Sequence, residues 1–195
     1  NISIKENEKY VAYDVCPANR VLNMLVASMG KEFDENGALA ASGKVDATLL
    51  NTLNNLDYYS ITYPKSLSNN LGTDIILPLI NSSSLRTEDK LRTYVEHIAI
   101  QVNRSLVDKR YAFVNSKLLI TGGGSFNSFL VERIASLLSE WGMYVDVPES
   151  SIVNYKEALI MGFIGVLRWR EEINTLSSVT GAQKDSIGGA MWIPR

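Results

Sequence analysis

Lys117-Leu118-Leu119-Ile120-Thr121-Gly122-Gly123-Gly124-Ser125-Phe126-Asn127 begins as a short apolar run and passes straight into three consecutive glycines. After them Phe126, Phe129, Leu130, Ile134, Leu137 and Leu138 recur at helical spacing, so the segment reads as strand, glycine loop, amphipathic helix. A strand that turns without Cβ atoms into a helix N-terminus lets a phosphate lie against bare backbone N–H groups at the positive end of the helix dipole. The spacing fits neither the lysine-containing phosphate loop nor the dinucleotide fingerprint. Taken locally, the same residues also describe a tight turn with Ser125 as the N-cap.

On either side, the chain continues in the same style. Met143 to Val147 reads as a further strand, and Asn154 to Arg170 as a helix whose small residues Ala158, Gly162 and Gly165 suggest a close-packing face. Upstream, Thr87 is an expected N-cap with Glu88 and Asp89 in the first turn. Leu91, Tyr94, Val95, Ile98, Val102 and Leu106 follow as one apolar face that runs out at Lys109-Arg110. Residues 2 to 14 alternate as a β-hairpin around a charged turn, and Val21, Leu22, Leu25, Val26 and Met29 form a helix after Pro17 that stops at Gly30. Short helices broken at Ser42-Gly43 occupy 34 to 56, and irregular connecting chain occupies 58 to 73. Strands alternating with helices in this order predict an α/β layered domain, with no repeat or charge block that divides it.

Composition narrows the function classes. The 195 residues are 46% hydrophobic and 21% charged, within the globular range. Nineteen basic against twenty-one acidic residues give a net charge of -2, without the positive field of a nucleic-acid binder. The longest apolar run, Ala158 to Val166, is broken by Gly162 and Gly165 and is too short to span a bilayer, so no membrane partner is expected. The single cysteine, Cys16, favours a reducing compartment, and the cytoplasm is the expected location. Residue 1 is asparagine, and the chain is expected to begin within a longer protein.

Asp14 ends the hairpin just before Pro17. A carboxylate there either caps the following helix or stands at the mouth of a cleft, where it can take a proton from water as a general base; Asn19 has the same ambiguity. His97 has no cysteine or histidine companion for a metal site and is expected to be a surface or core residue. Trp141, Trp169 and Trp192 are expected to pack, and Cys16 to be a buried thiol.

Six segments follow one another along the chain: Asp14-Val15-Cys16-Pro17-Ala18-Asn19, Gly37 to Asp46, Pro64-Lys65-Ser66, Leu119 to Gly124 with Asn127, Lys156-Glu157-Ala158, and Ser178 to Ala182 with Gly188-Gly189. In this order they resemble the C-terminal half of the anhydro-N-acetylmuramic acid kinases, bacterial sugar kinases of the actin, heat-shock chaperone and hexokinase superfamily. The resemblance implies a ribonuclease H-like (actin-like ATPase) α/β lobe over residues 1–195, with a mixed β-sheet flanked by helices and the N-terminal lobe lying outside this chain. It implies ATP-dependent hydrolytic opening of 1,6-anhydro-N-acetylmuramic acid with phosphate placed on O6, in cell-wall recycling, by an enzyme active only with both lobes. Asp14 would be the general base, Asn19 and Glu157 would serve the sugar pocket, and Gly122, Gly123, Gly124 and Asn127 the adenosine side of ATP, which arrives with Mg2+. A homodimer is a further expectation. Val15, Cys16 and Ala18 replace the family's usual Thr, Gly and Gly, and their Cβ atoms are expected to crowd the cleft. The chain after Lys65-Ser66 also departs from the family loop. A non-catalytic nucleotide- or sugar-binding relative, or a kinase for another sugar, is the alternative.

Overall fold

Apolar alternation makes the first element a hairpin. In a computed structural model describing residues 1–68, 70–107 and 113–192, β1 (Ile2–Glu6) pairs antiparallel with β2 (Lys9–Tyr13). Ile2↔Tyr13 and Ile4↔Val11 stand opposite, so Ile2, Ile4 and Val11 share the buried face. Helix α1 (Asn19–Ala27) follows and buries Val21, Leu22, Leu25 and Val26, the expected stripe. The break at Ser42-Gly43 is present, between α2 (Ala38–Ser42) and α3 (Ala47–Asn54). The connecting chain is more ordered than its composition suggests. It holds a 3₁₀ turn at Asp57–Ser60 and a π-type turn at Leu71–Ile76 that leads into α4 (Leu77–Asn81).

The hub is α5 (Thr87–Val107), which buries Leu91, Tyr94, Val95, Ile98, Ala99 and Leu106 and packs against α1, α2, α3 and α6. Each large apolar side chain removed from water there contributes about 1.5–3 kcal/mol. Lys109-Arg110 and Asn69 lie outside the described residues. Then come β3 (Lys117–Leu119), α6 (Ser128–Ser139) and β4 (Tyr144–Asp146), a βαβ unit in which β3 and β4 pair in parallel, Leu118 beside Val145. Two more helices follow, α7 (Ser150–Trp169) and α8 (Ser177–Thr180).

The α/β class holds, with two corrections. Among the described residues the strands form two separate pairs and no single mixed sheet, because the hairpin pairs only with itself and the βαβ unit supplies only one parallel neighbour. The glycine face of α7 does not pack as expected. A Cβ at Gly162 or Gly165 would meet nothing within 4 Å, Val153 is the helix's one buried residue among those described, and Tyr155, Leu159, Met161, Phe163 and Trp169 are exposed. Trp192 is exposed too, so of the three tryptophans only Trp141 is largely covered, its indole N–H donating to the Leu137 carbonyl at 3.0 Å.

Candidate active site

Backbone geometry builds the first half of the site. Gly122 (φ 79°) carries the chain from β3 into a 3₁₀ turn at Gly123–Phe126, which ends at the first turn of α6. The expected cap is corrected here. Ser125 is buried and its hydroxyl turns back to the Gly122 carbonyl at 2.8 Å, while Asn127 caps α6, its Oδ1 accepting from Leu130 N at 2.9 Å. Asn19, the first residue of α1, lies across the loop: a Cβ on Gly123 would come within 2.8 Å of its Nδ2, and one on Gly124 within 3.2 Å of its Oδ1. A side chain on either glycine would press on this amide and make Asn19 shift. Asn19 therefore does not cap α1, whose N-cap position is Ala18.

In front of this loop lies a cleft of about 430 Å³ whose walls include Asn19, Asn23, Asn36, Gly123 and Asn127, with Phe33 and Phe126. The two aromatic rings are largely exposed, and the amides provide donors and acceptors at fixed places. Asp34 also lines it, but both of its carboxylate oxygens are engaged by the amides of Leu39 and Ala40 at 2.9 Å. Lys156 reaches the back of the loop from α7, its Nζ donating to Thr121 Oγ1 at 3.0 Å and standing 4.0 Å from where a Gly122 Cβ would be. Glu157, the neighbouring expected residue, is instead exposed on α7.

Asp14 is the centre of a second cluster. It does not cap α1. Its Oδ2 accepts from Leu67 N at 2.7 Å, its amide donates to the Lys65 carbonyl at 3.4 Å, and its carbonyl accepts from Tyr58 Oη at 2.6 Å. Oδ1 receives no hydrogen bond from a described residue. Lys65 sits 4.6 Å above the Tyr58 ring and 5.7 Å above the Tyr13 ring and donates to the Tyr58 carbonyl. Burial pushes the Lys65 ammonium below its ordinary range and the Tyr58 phenol up to about 12, the latter with help from the Asp14 charge. Tyr13 stacks on Tyr63, and Pro64 approaches Gly181 at the end of α8, so the segment that binds Asp14 is itself backed by a third of the quoted segments. Asp14 is not part of the cleft wall, but Asn19 is only five positions further along the chain, a span of at most about 18 Å.

Against known proteins, the family model for anhydro-N-acetylmuramic acid kinase matches residues 1–194. The chain belongs to the anhydro-N-acetylmuramic acid kinase family. It is 28% identical to the anhydro-N-acetylmuramic acid kinase of Aliivibrio fischeri, over 98% of this chain and 53% of that protein. For Pasteurella multocida the figures are 30%, 98% and 52%, and for Shewanella oneidensis 31%, 94% and 50%. The chain thus spans about half the length of the curated relatives it matches.

Val15 and Cys16 are buried in the hydrophobic core, and neither lines the cleft, so the expected crowding does not arise from them. Burial pushes the Cys16 thiol up to about 12, an inert core residue. Among the described residues no group of three or more His, Cys, Asp or Glu side chains is placed to hold a metal ion, and no helix is long and apolar enough to cross a membrane. Lys65, Leu67, Tyr58 and Lys156 are the site residues that sequence reasoning passed over. The Pro64-Lys65-Ser66 motif and the lysine beside Glu157 were the available signals.

Proposed function

We propose that the full-length protein carrying this chain is an ATP-dependent kinase of the cytoplasm that hydrolytically opens 1,6-anhydro-N-acetylmuramic acid and phosphorylates O6. This chain would be its C-terminal lobe, a reading supported by the order of the quoted motifs. The observation that carries the proposal is the pairing of two clusters within one short stretch: Asp14 with an open carboxylate oxygen, and, five residues on, Asn19 lying against the glycine loop. The family membership supports the substrate.

In this reading ATP lies in the cleft, its adenosine side against the Gly122–Gly124 loop, of which Gly123 lines the cleft, and Asn127, with Phe33 and Phe126 as apolar walls and Asn19 on the side of the sugar pocket. Lys156, donating to Thr121 beside Gly122, brings positive charge close to the bound nucleotide. Asp14 Oδ1 takes a proton from water as that water bonds to C1 of the sugar. The C1–O6 bond breaks, O6 bonds to the γ-phosphorus, and the bond to the β-phosphate oxygen breaks to release ADP. Leu67 N holds the other carboxylate oxygen and so orients the base. Magnesium would come with the nucleotide, supplying charge neutralisation; the described residues provide no ligand set of their own for it, and no step is assigned through it. Glu157, exposed on α7 beside Lys156, would serve the sugar pocket.

ADP release by the full-length protein with ATP, magnesium and the anhydrosugar, beside an Asp14→Asn variant, is the test. The expected result is turnover that falls about 10²–10⁴-fold on substitution. Nucleotide binding without turnover in the unmodified protein would instead give the non-catalytic reading.

A further inference from the structure

His97 sits on α5, fully buried, and every polar atom of its ring is used. Its Nδ1 lies 2.8 Å from Asn54 Oδ1, which also accepts from Gln101 Nε2 at 2.7 Å. A carboxamide oxygen only accepts, so Nδ1 must carry the proton. Burial, with the Arg104 guanidinium adding to it, holds the imidazole neutral, its pKa down to about 3. Nε2 is then an acceptor, and the Tyr59 hydroxyl, 2.8 Å away, must donate to it. The direction of each bond in this network follows from the chemistry of Asn54.

Tyr59 is flanked by Tyr58, and both lie on the 3₁₀ turn Asp57–Ser60. Tyr58 holds the Asp14 carbonyl, and the chain leaving this turn brings Leu67 N onto the Asp14 carboxylate. One turn before His97 on the same face of α5, Tyr94 stacks on the imidazole and donates to the Pro17 carbonyl at 2.7 Å, gripping the Asp14–Asn19 loop from its other end. The loop and the turn that clasps Asp14 are therefore both tied to one helix face, directly at Tyr94 and through Tyr59 at His97.

We propose that His97 is a positioning residue for Asp14, acting through the Tyr59 hydroxyl to fix the Asp57–Ser60 turn and, with it, the Tyr58 and Leu67 contacts that aim the carboxylate. The catalytic consequence rests on the kinase reading above; the positional one does not.

The test uses Tyr59→Phe, which removes one hydroxyl and keeps the ring, together with His97→Leu and His97→Gln, all in the full-length protein. Two readouts are taken, hydrogen exchange at the Leu67 amide and steady-state kinetics. Tyr59→Phe and His97→Leu are expected to speed Leu67 exchange about tenfold while Leu91 and Val95 in the α5 core stay protected. They should lower kcat roughly 10- to 100-fold with little change in KM for ATP. His97→Gln, which can still donate to Asn54 and accept from Tyr59, should restore much of both. Unchanged Leu67 exchange in a folded Tyr59→Phe protein overturns the proposal, as does equal slowing in His97→Gln and His97→Leu. Absence of turnover in the unmodified protein would remove the kinase reading and leave the exchange result to decide the positioning role.

Discussion

Substituting Gly37 by alanine tests how the cleft wall is assembled. Gly37 joins a short turn at Glu35–Gly37 to α2 with φ 72°, a left-handed conformation that costs a residue with a Cβ about 1–2 kcal/mol. The new methyl would also collide with the Asn127 carboxamide oxygen and approach Phe129 Cβ at 2.7 Å, a steric conflict of about 1–3 kcal/mol. The expected loss is therefore about 2–5 kcal/mol, a Tm lower by roughly 5–15 °C for a domain of this size. Asn127→Ala alone should cost about 1 kcal/mol, the loss of the α6 cap. In that background Gly37→Ala no longer meets the carboxamide, so the two changes should fall short of additivity by about 1 kcal/mol or more. Urea unfolding of the four proteins, followed by far-UV circular dichroism with the m-value checked for constancy, measures the cycle. Additivity within about 0.3 kcal/mol would refute the claim that Gly37 is needed to seat Asn127 at the cleft.

Three further outcomes are expected. His97 is held neutral in the fold down to about pH 3 but titrates near 6.5 when unfolded, so the unfolded chain binds the extra proton between these values and stability falls as pH drops through that window. This contribution to the slope, up to about 1.4 kcal/mol per pH unit, should be missing in His97→Gln, whose slope is then shallower; identical slopes in urea titrations from pH 7 to 4 would contradict this. Cys16, buried with its thiol pushed up to about 12, should resist iodoacetamide at pH 8 until the protein unfolds; prompt stoichiometric labelling detected by mass spectrometry would count against it. Gly162→Ala should stabilise the 195-residue chain by up to about 1 kcal/mol, because the helix gains propensity and the methyl meets nothing within 4 Å; an unchanged or lower Tm in thermal melts would contradict this.

Local periodicity made most of the elements legible. The hairpin, α1, α5, the strand-loop-helix unit at Lys117 to Ser139 and the break at Ser42-Gly43 all follow from spacing, because in each the buried face is set by neighbours within a few residues. Expectations failed where the partner lay far along the chain, or where a face has little packed on it among the described residues. Asp14 is claimed by Leu67, 53 residues on, rather than by the helix it precedes, and the Tyr59–His97 contact spans 38 residues. Neither is visible in a local window. For α7 the apolar content is plain in sequence, but a stripe of glycines says nothing of what packs on it, and within this chain little does. The ordered set of motifs located the glycine loop and Asp14 together, whereas their supports, Lys65, Tyr58 and Lys156, required three-dimensional placement.

The placement of those supports gives α5 a larger part than core filling. From one helix, Tyr94 and His97 reach the Asp14–Asn19 loop and the turn that clasps it, while Glu96, between them in sequence, receives a two-pronged contact from Arg133 of α6 at 2.9 and 3.1 Å. Helix α6 is the helix that the glycine loop enters. Its packing on α5 is therefore pinned by a bidentate charge-assisted pair, largely shielded on the Glu96 side, within one residue of the contacts that hold Asp14. Side-chain hydrogen bonds of α5 thus reach the Asp14–Asn19 loop at Pro17, the turn that clasps it at Tyr59, and α6 at Arg133. On the proposed reading, a reaction in which O6 must meet the γ-phosphorus as water meets C1 demands a fixed spacing between base and bound nucleotide, and misplacement by about 1 Å is enough to cost a hundredfold in rate. A change that lets α5 slide relative to α6 would alter that spacing without touching either cluster. On the proposed kinase reading, then, the helix with the strongest apolar pattern also sets the distance on which the chemistry depends.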